Sequence, residues 1–243
     1  MKKDTVYAAP RRIEAFEFDE RVADVFENMI RRSVPGYALV LELLGVITEQ
    51  YGRPRTNCYD LGCSLGASTL VMRRHLPASC RVIGVDNSPA MADRCRANVA
   101  RDHSAADVEI RCEAMQDTTI DNASVVAMNF TLQFIPPAER YDMLARIARG
   151  MVPGGALVLS EKVCFDDNET QHAMTDLHHR FKRHQGYSDL EIAQKRAALE
   201  NVLVPETAAA HIDRLHAAGF SEVHEIERCL SFSSFLAIRQ EQA

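Results

Sequence analysis

The chain has 243 residues, 47% of them hydrophobic, and a formal net charge of -6. This length suits one α/β domain with additions or two small domains. The absence of any run of 18 apolar residues argues against a membrane span, and the negative charge argues against a protein whose main role is to hold nucleic acid.

Apolar periodicity predicts strands that alternate with helices along most of the chain. Two helices come first, at 21–30 and 38–49, separated by 33–37, where proline and glycine together end a helix. The core then has predicted strands at 56–61, 81–86, 108–112, 124–129 and 155–161, and predicted helices at 67–76, 90–101 and 137–150. A polar, largely helical insertion at 168–201 precedes a helix at 207–218 and two closing strands at 222–229 and 232–238.

This order predicts an α/β, Rossmann-like fold with a mainly parallel seven-stranded sheet and right-handed crossovers. The last two strands are expected to form an antiparallel hairpin at the edge of the sheet. We expect a single domain over 1–243, divided into an N-terminal helical lid (1–52), a Rossmann-like core (53–165), a helical insertion (166–206) and a C-terminal helix with the edge hairpin (207–243).

The segment 57–69 (NCYDLGCSLGAST) reads as a buried strand, a glycine turn and the start of a helix. The next predicted strand ends at Asp86. A glycine turn lets backbone come close to a ligand, and a carboxylate about 20 residues later can bind ribose hydroxyls. Together these features predict an adenosine-containing ligand, although Asp86 could instead be an acid near the N-terminus of the following helix.

The details of the turn narrow the ligand. The turn has only Gly62 and Gly66, with Ser64 between them and no Lys after them, so it lacks both a phosphate loop and a dinucleotide fingerprint. Asp60, just before the turn, would repel a phosphate but suits a cationic amino-acid ligand. An acid-x-Gly-x-x-x-Gly pattern with an acid ending the next strand resembles class I S-adenosylmethionine-binding proteins. An ordinary αβ turn is the alternative.

Several other polar residues are candidates for a ligand or metal site. Asn129 ends the fourth core strand, where it could hydrogen-bond the amino-acid part of a cofactor or a substrate, or cap a turn. Four histidines between 172 and 184 do not have the spacing of zinc ligands, so we expect a solvated or interface face and no metal. Asp166 and Asp167 are expected to cap the next helix. No Ser/His/Asp or Cys/His arrangement supports nucleophilic catalysis.

A more specific resemblance rests on blocks outside the generic turn. The matching segments are 33–37 (SVPGY), 60–66 (DLGCSLG), 86–91 (DNSPAM), 129–134 (NFTLQF), 153–162 (PGGALVLSEK), 186–188 (GYS), 194–196 (QKR) and 199–202 (LENV). Through them the chain, from about residue 4 to its C-terminus, resembles the carboxy-S-adenosyl-L-methionine synthase family.

The resemblance implies a class I methyltransferase fold that does not transfer the methyl group. Instead, the methyl carbon of S-adenosyl-L-methionine is carboxylated, with prephenate as the carboxyl source and phenylpyruvate as the second product. The carboxylated product then supplies a partner enzyme that carboxymethylates the wobble uridine of certain tRNAs. A homodimer is also implied, and we expect no direct contact with nucleic acid or membrane.

The same resemblance assigns Arg196 to the new carboxylate, which a planar guanidinium suits. The cofactor-binding residues that it implies are Tyr37, Gly62, Cys63, Ser64, Asp86, Asn87, Ala114, Met115, Asn129 and Arg196. The family usually has an aspartate after the third core strand that accepts a hydrogen bond from the adenine amino group. Aligned by length, that position is Ala114, so backbone at 114–115 is expected to flank adenine without the side-chain bond.

Two other functions stay open at this point. One is a conventional methyltransferase acting on a small molecule or RNA, and the other is a cofactor-binding protein without catalysis. A start (MKKD) that leads into polar sequence predicts no secretory signal and a cytoplasmic protein. Seven cysteines without a Cys-x-x-Cys pair favour reduced, buried thiols.

Overall fold

The central sheet is the frame on which the candidate site is built. The computed structural model describes residues 2–10, 12, 14–200 and 202–240. The strands in this part of the chain are β1 (Asn57–Leu61), β2 (Arg81–Asp86), β3 (Asp107–Cys112), β4 (Ala123–Asn129), β5 (Met151–Cys164), β6 (Glu206–Thr207), β7 (Phe220–Cys229) and β8 (Phe232–Arg239). The order across the sheet is β3-β2-β1-β4-β5-β8-β7, with β6 paired to β5 outside this path. The predicted Rossmann-like α/β fold is confirmed.

The strands pair in the predicted directions. β1 to β5 run parallel, and β8 is antiparallel to both β5 and β7, so the predicted edge hairpin is confirmed. Parallel strands are covered on both faces, and alternate residues of β1 accordingly enter two different cores. Tyr59 and Leu61 lie in the larger core, whereas Cys58 lies in the one on the opposite face.

Helices cover both faces of the sheet and one end of it. They are α1 (Glu20–Ala23), α2 (Phe26–Ser33), α3 (Tyr37–Tyr51), α4 (Ala67–His75), α5 (Pro89–Val99), α6 (Arg140–Gly150), α7 (Asn168–His184), α8 (Asp189–Leu199) and α9 (Ala208–Ala217). Side-chain caps fix several starts: Ser88 accepts from the backbone N–H of Met91, and Ser188 forms a capping box with Glu191. Asp167 accepts from the N–H of Thr170, as its predicted capping role requires.

Some predicted boundaries were wrong. The helix expected at 21–30 is interrupted at Asp24 and Val25, which separate α1 from α2. β5 begins at Met151 rather than at 155, because Met151 already pairs with Ala123. The insertion contains two helices, separated near Gly186 (φ +84°). Asn201, at which the insertion was expected to end, lies outside the described residues, as do Met1 and 241–243 at the ends of the predicted domain.

The N-terminal segment and the insertion are joined by direct hydrogen bonds. The hydroxyl of Tyr187 donates to the buried carboxylate of Asp4 over 2.5 Å. The backbone N–H of Phe16 donates to the carbonyl of Ala198 over 3.0 Å, and Gln194 Nε2 donates to the carbonyl of Tyr7. The N-terminal segment and the insertion are therefore hydrogen-bonded to each other. The four-part division proposed from the sequence stays a prediction.

Two further findings concern membrane-spanning helices and the thiols. Across the described residues, no helix combines the length and apolar character needed to cross a membrane. All seven thiols are free, and four of them (Cys58, Cys63, Cys80 and Cys95) are buried. The expected burial of the thiols is thus found at four of the seven positions.

Candidate functional site

The glycine turn between β1 and α4 places backbone at the carboxyl end of the sheet. Gly62, Ser64 and Gly66 all have positive φ, at +84°, +49° and +87°. A Cβ on Gly62 would lie 2.4 Å from Thr131 Oγ1, and one on Gly66 would lie 2.7 Å from Cys95 Sγ. Both positions therefore require glycine for conformation and for space. In α/β sheets, such a turn at the carboxyl end borders the ligand crevice.

Asp86 is held in a fixed orientation at the end of β2. Its Oδ2 accepts from the backbone N–H of Ser64 and its Oδ1 from that of Ser88, both over 2.9 Å. Burial raises the pKa of Asp86, although these two backbone donors favour its ionised form. Each carboxylate oxygen keeps a lone pair for a further donor, such as a ribose hydroxyl. Asn87, next to it, is exposed.

Asp60 lies beneath the turn with only 1% of its surface exposed. Thr69 Oγ1 donates to its Oδ2 over 2.6 Å, and burial raises the pKa of Asp60 to about 6. Burial, followed by the charge of Asp60, also raises the pKa of the Tyr37 hydroxyl. The lid residue Tyr37 and the acid before the turn therefore act on each other in one enclosed region, which a cationic group would stabilise.

Asn129 ends β4 with both ends of its amide engaged. Its Nδ2 donates to Ser68 Oγ over 2.9 Å, and its Oδ1 accepts from Ser160 Oγ over 2.9 Å. The side chain thus links α4 to β5 instead of capping its own turn. One Nδ2 hydrogen and one Oδ1 lone pair remain for a ligand.

The loop after Asn129 depends on a residue that sequence reasoning missed. Glu161 is fully buried, and its carboxylate accepts hydrogen bonds from the backbone N–H groups of Thr131, Leu132 and Gln133. Burial raises the pKa of Glu161 to about 8, against the lowering effect of these donors and of Arg140. The one signal in the sequence was a charged residue at the end of an otherwise apolar strand.

Phe130 begins this loop in the left-handed conformation (φ +61°). Its ring lies 6.3 Å from that of Tyr37 and 6.0 Å from that of Phe232, measured between centroids. The ring of Phe232 lies 5.1 Å from that of His178, edge to face. These aromatic side chains form a wall beside the carboxyl ends of β4 and β5, and we call Tyr37, Phe130, Phe232 and His178 the aromatic wall.

The segment after β3 borders Asp86. Cys112, which ends β3, pairs with Asp86, so Ala114 follows two residues beyond that pair. The carbonyl of Ala114 accepts from the backbone N–H of Asp117 over 2.9 Å, and Met115 packs against the larger core. This position suits the expected contact between backbone at 114–115 and an adenine ring.

Arg196 lies on α8, and other polar side chains of this helix form hydrogen bonds with the N-terminal lid (1–52). Lys195 Nζ donates to Ser33 Oγ over 3.0 Å, but the side chain of Arg196 is exposed. Burial, and then the charge of Arg196, lowers the pKa of Lys162 at the end of β5. The guanidinium is therefore near the carboxyl end of the sheet, and no carboxylate of the described residues forms an ion pair with it.

The histidines of the insertion have separate environments. His178 Nε2 lies 2.8 Å from the carbonyl oxygen of Ser33, so this nitrogen carries a proton and donates it. Burial lowers the pKa of His178 to about 3. Among the residues that the structure describes, no group of three or more His, Cys, Asp or Glu side chains is arranged to hold a metal ion.

Comparisons with known proteins identify relatives of this chain. A family model described as "Methyltransferase domain" matches residues 59–155. Proteins named carboxy-S-adenosyl-L-methionine synthase are 58% identical in Hahella chejuensis (98% of each chain), 54% in Marinobacter nauticus (97% of this chain, 95% of the relative) and 52% in Trichlorobacter lovleyi (98% and 99%).

Solved structures show the fold. An O-methyltransferase family protein from Burkholderia thailandensis superposes with a TM-score of 0.63 at 20% identity, over 93% of this chain and 61% of its own. Human N-acetylserotonin methyltransferase, solved in complex with SAM, gives 0.61 at 13% identity, over 91% and 57%. The expected class I methyltransferase fold is therefore confirmed.

Proposed function

The chain belongs to the carboxy-S-adenosyl-L-methionine synthase family, and from that premise we propose that it converts S-adenosyl-L-methionine and prephenate to carboxy-S-adenosyl-L-methionine and phenylpyruvate. It is an enzyme of the transferase class that uses S-adenosyl-L-methionine. The assignment of prephenate as the carboxyl source rests on the family resemblance and on the charges around Arg196.

The observation that carries this proposal is the guanidinium of Arg196, which has no ion pair among the described residues and whose charge acts on Lys162 at the carboxyl end of β5, in a chain with a cofactor turn of the methyltransferase type. Methyl transfer moves the methyl group of the sulfonium to a nucleophile and places no carboxylate on the cofactor, so it does not require a cation at this place. A product that carries an extra carboxylate next to its sulfonium does require one, and guanidinium binds carboxylate through two parallel hydrogen bonds.

The remaining candidate residues hold the parts that substrate and product share. The backbone at Gly62, Cys63 and Ser64 lines the cofactor, and Asp86 with Asn87 binds the ribose and the edge of adenine. Backbone at Ala114 and Met115 flanks adenine. These assignments are supported by the fixed carboxylate of Asp86 and by the positive φ of Gly62 and Ser64, which forms the turn at the carboxyl end of the sheet.

The opposite end of the ligand meets the lid and β4. Tyr37 and Asn129 contact the amino-acid part of S-adenosyl-L-methionine, near the negative charge of Asp60. The charge on Asp60 favours the ammonium group there, and the hydrogen bonds of Asn129 to Ser68 and Ser160 fix its amide in one orientation.

The chemistry balances without a base from the protein. Prephenate loses carbon dioxide and hydroxide to become phenylpyruvate, the hydroxide takes one proton from the acidified methyl group to give water, and the methyl carbon bonds to the carbon dioxide. The residues of this chain bind, orient and exclude water. Arg196 receives the carboxylate as it forms, so its interaction is stronger after the reaction than before it.

The purified enzyme, incubated with S-adenosyl-L-methionine and prephenate, is expected to yield a sulfonium product heavier by one carboxyl group, together with phenylpyruvate in equal amount. Mass spectrometry of the denatured mixture measures both. Only unchanged cofactor from a folded, cofactor-loaded protein would overturn the proposal. Formation of S-adenosylhomocysteine on some acceptor would indicate a conventional methyltransferase instead.

We also propose the family's setting for this enzyme. It acts as a cytoplasmic homodimer, and its product supplies an enzyme that carboxymethylates the tRNA wobble uridine. The net charge of -6 supports a role upstream of the tRNA rather than direct binding to it.

Replacing Ala114 with Asp is expected to strengthen S-adenosyl-L-methionine binding several-fold, by about 1 kcal/mol for one hydrogen bond. The reason is that Ala114 stands where the family usually has an acid for the adenine amino group. Calorimetry of S-adenosyl-L-methionine against an inosine analogue, which lacks that amino group, measures the gain. An equal gain for both ligands would show that the new carboxylate does not contact the amino group.

A further inference from the structure

Lys162 and Lys182 lie beside the aromatic wall, and neither has an anionic partner among the residues that the structure describes. Lys162 pairs across β5 and β8 with Phe232, and its backbone N–H donates to Gln133 Oε1 over 3.2 Å. It lies two residues after Ser160, on the same face of the strand, and Ser160 is bonded to Asn129. Lys162 is thus attached to the loop that carries the strand-end amide.

Lys182 approaches the same place from α7. It follows His178 by four residues, so both side chains lie on one face of the helix. His178 itself packs on Phe232 and bonds the carbonyl of Ser33. Burial, followed by the charges of Lys195 and Lys162, lowers the pKa of Lys182 to about 7.

Lys162, Lys182 and Arg196 form a cluster of cations that has no acidic partner among the described residues. Lys195 has a hydroxyl partner in Ser33 and the charge of Asp4 nearby. By contrast, no carboxylate in the described part of the chain lies within ion-pair distance of Lys162, Lys182 or Arg196. Half-buried cations placed together without an anion are unfavourable, so this arrangement is one that an anionic ligand would complete.

We propose that Lys162 and Lys182 bind the carboxylate that the carboxyl donor keeps, while Arg196 receives the carboxylate that the donor gives away. This inference rests on the proposed function and extends it to the donor's binding site. Lys162, Lys182 and Arg196 come from three different elements, β5, α7 and α8. The aromatic wall beside them, in which Tyr37 is partly exposed while Phe130, Phe232 and His178 are buried, gives the site an apolar boundary for a carbon ring. A cyclic dicarboxylate fits this combination better than bicarbonate or a simple monocarboxylate does.

The charge-removing variants Lys162→Met and Lys182→Met test the proposal, because methionine keeps an unbranched side chain. Each is expected to raise the KM for prephenate about 10- to 100-fold, while the Kd for S-adenosyl-L-methionine changes less than about twofold. Lys162→Arg and Lys182→Arg are expected to restore most of the affinity. Arg180→Met is the matched control, since Arg180 lies on the exposed side of the same helix.

Two further readings separate a binding role from a structural one. Lys182→Met is expected to raise the melting temperature, because it removes a cation from like-charged neighbours, whereas loss of a structural residue would lower it. In the double variant the two effects should be less than multiplicative, since both lysines contact one carboxylate.

Direct calorimetry with phenylpyruvate, which retains that carboxylate, tests the subsite without turnover. Weaker phenylpyruvate binding in both variants supports the proposal even if the native enzyme makes no carboxylated product, a result that would overturn the proposed function alone. Unchanged phenylpyruvate binding and an unchanged KM for prephenate would overturn this subsite while the proposed function stands. A parallel loss of S-adenosyl-L-methionine affinity would assign the lysines to the cofactor instead.

Discussion

Arg196→Ala is expected to bind carboxy-S-adenosyl-L-methionine about 10- to 100-fold more weakly than the native enzyme does, with S-adenosyl-L-methionine binding nearly unchanged. The two ligands differ only in the carboxylate, and the exposed guanidinium of Arg196 has no ion pair with any carboxylate of the described residues. Lys162, close by, lacks the planar pair of donors that a carboxylate accepts. Formation of the carboxylated product is therefore expected to fall with product affinity. Calorimetry with each ligand gives the two dissociation constants.

Asp86→Ala is the control that distinguishes loss of the carboxylate contact from loss of the site. Asp86 is fixed by the backbone of Ser64 and Ser88, and in the proposed site it binds the ribose, which both ligands contain. This variant should weaken both ligands by the same factor. If Arg196→Ala likewise bound both ligands with equal affinity, Arg196 would not be part of the carboxylate site.

The parts of the site that could be predicted from sequence are local. The glycine turn could be predicted because positive φ favours glycine, and both positions that need it, Gly62 and Gly66, lie within five residues. Asp86 could be predicted because the strand-turn-helix-strand order fixes the approximate number of residues between the glycine turn and the acid. The helix break at Asp24 and Val25 could not be predicted, since the apolar period continues through it without proline or glycine.

The parts that escaped prediction involve partners far apart in the chain. Glu161 binds a loop about 30 residues earlier, and nothing near it in the sequence marks that contact. The short strand β6 has two residues, too few for any period. The spacing of the four histidines of the insertion predicts a solvated or interface face, and nothing in that pattern indicates Lys182, which forms no ion pair among the described residues. Its significance depends on Lys162 and Lys195, which come from two other elements.

The other large effect is expected for Glu161→Ala, which should lower the free energy of unfolding by on the order of 3–4 kcal/mol. Its carboxylate accepts from three backbone N–H groups at 3.2, 2.8 and 3.0 Å, all inside the protein. Alanine would leave these donors buried without an acceptor. Urea unfolding at constant slope measures the loss.

Two companion variants make the result specific. Glu161→Gln keeps one acceptor oxygen but turns an amide N–H₂ toward a backbone N–H, so we expect roughly half the loss. Glu42→Ala, at an exposed position on α3, should change the free energy of unfolding by less than about 0.5 kcal/mol. Because the loop that Glu161 holds also carries Asn129 and Phe130, Glu161→Gln should weaken both ligands even where it remains folded. A stability loss below about 1 kcal/mol for Glu161→Ala would mean that water or a rearranged loop satisfies the three donors, and the loop would then owe its shape to Phe130 and its aromatic neighbours instead.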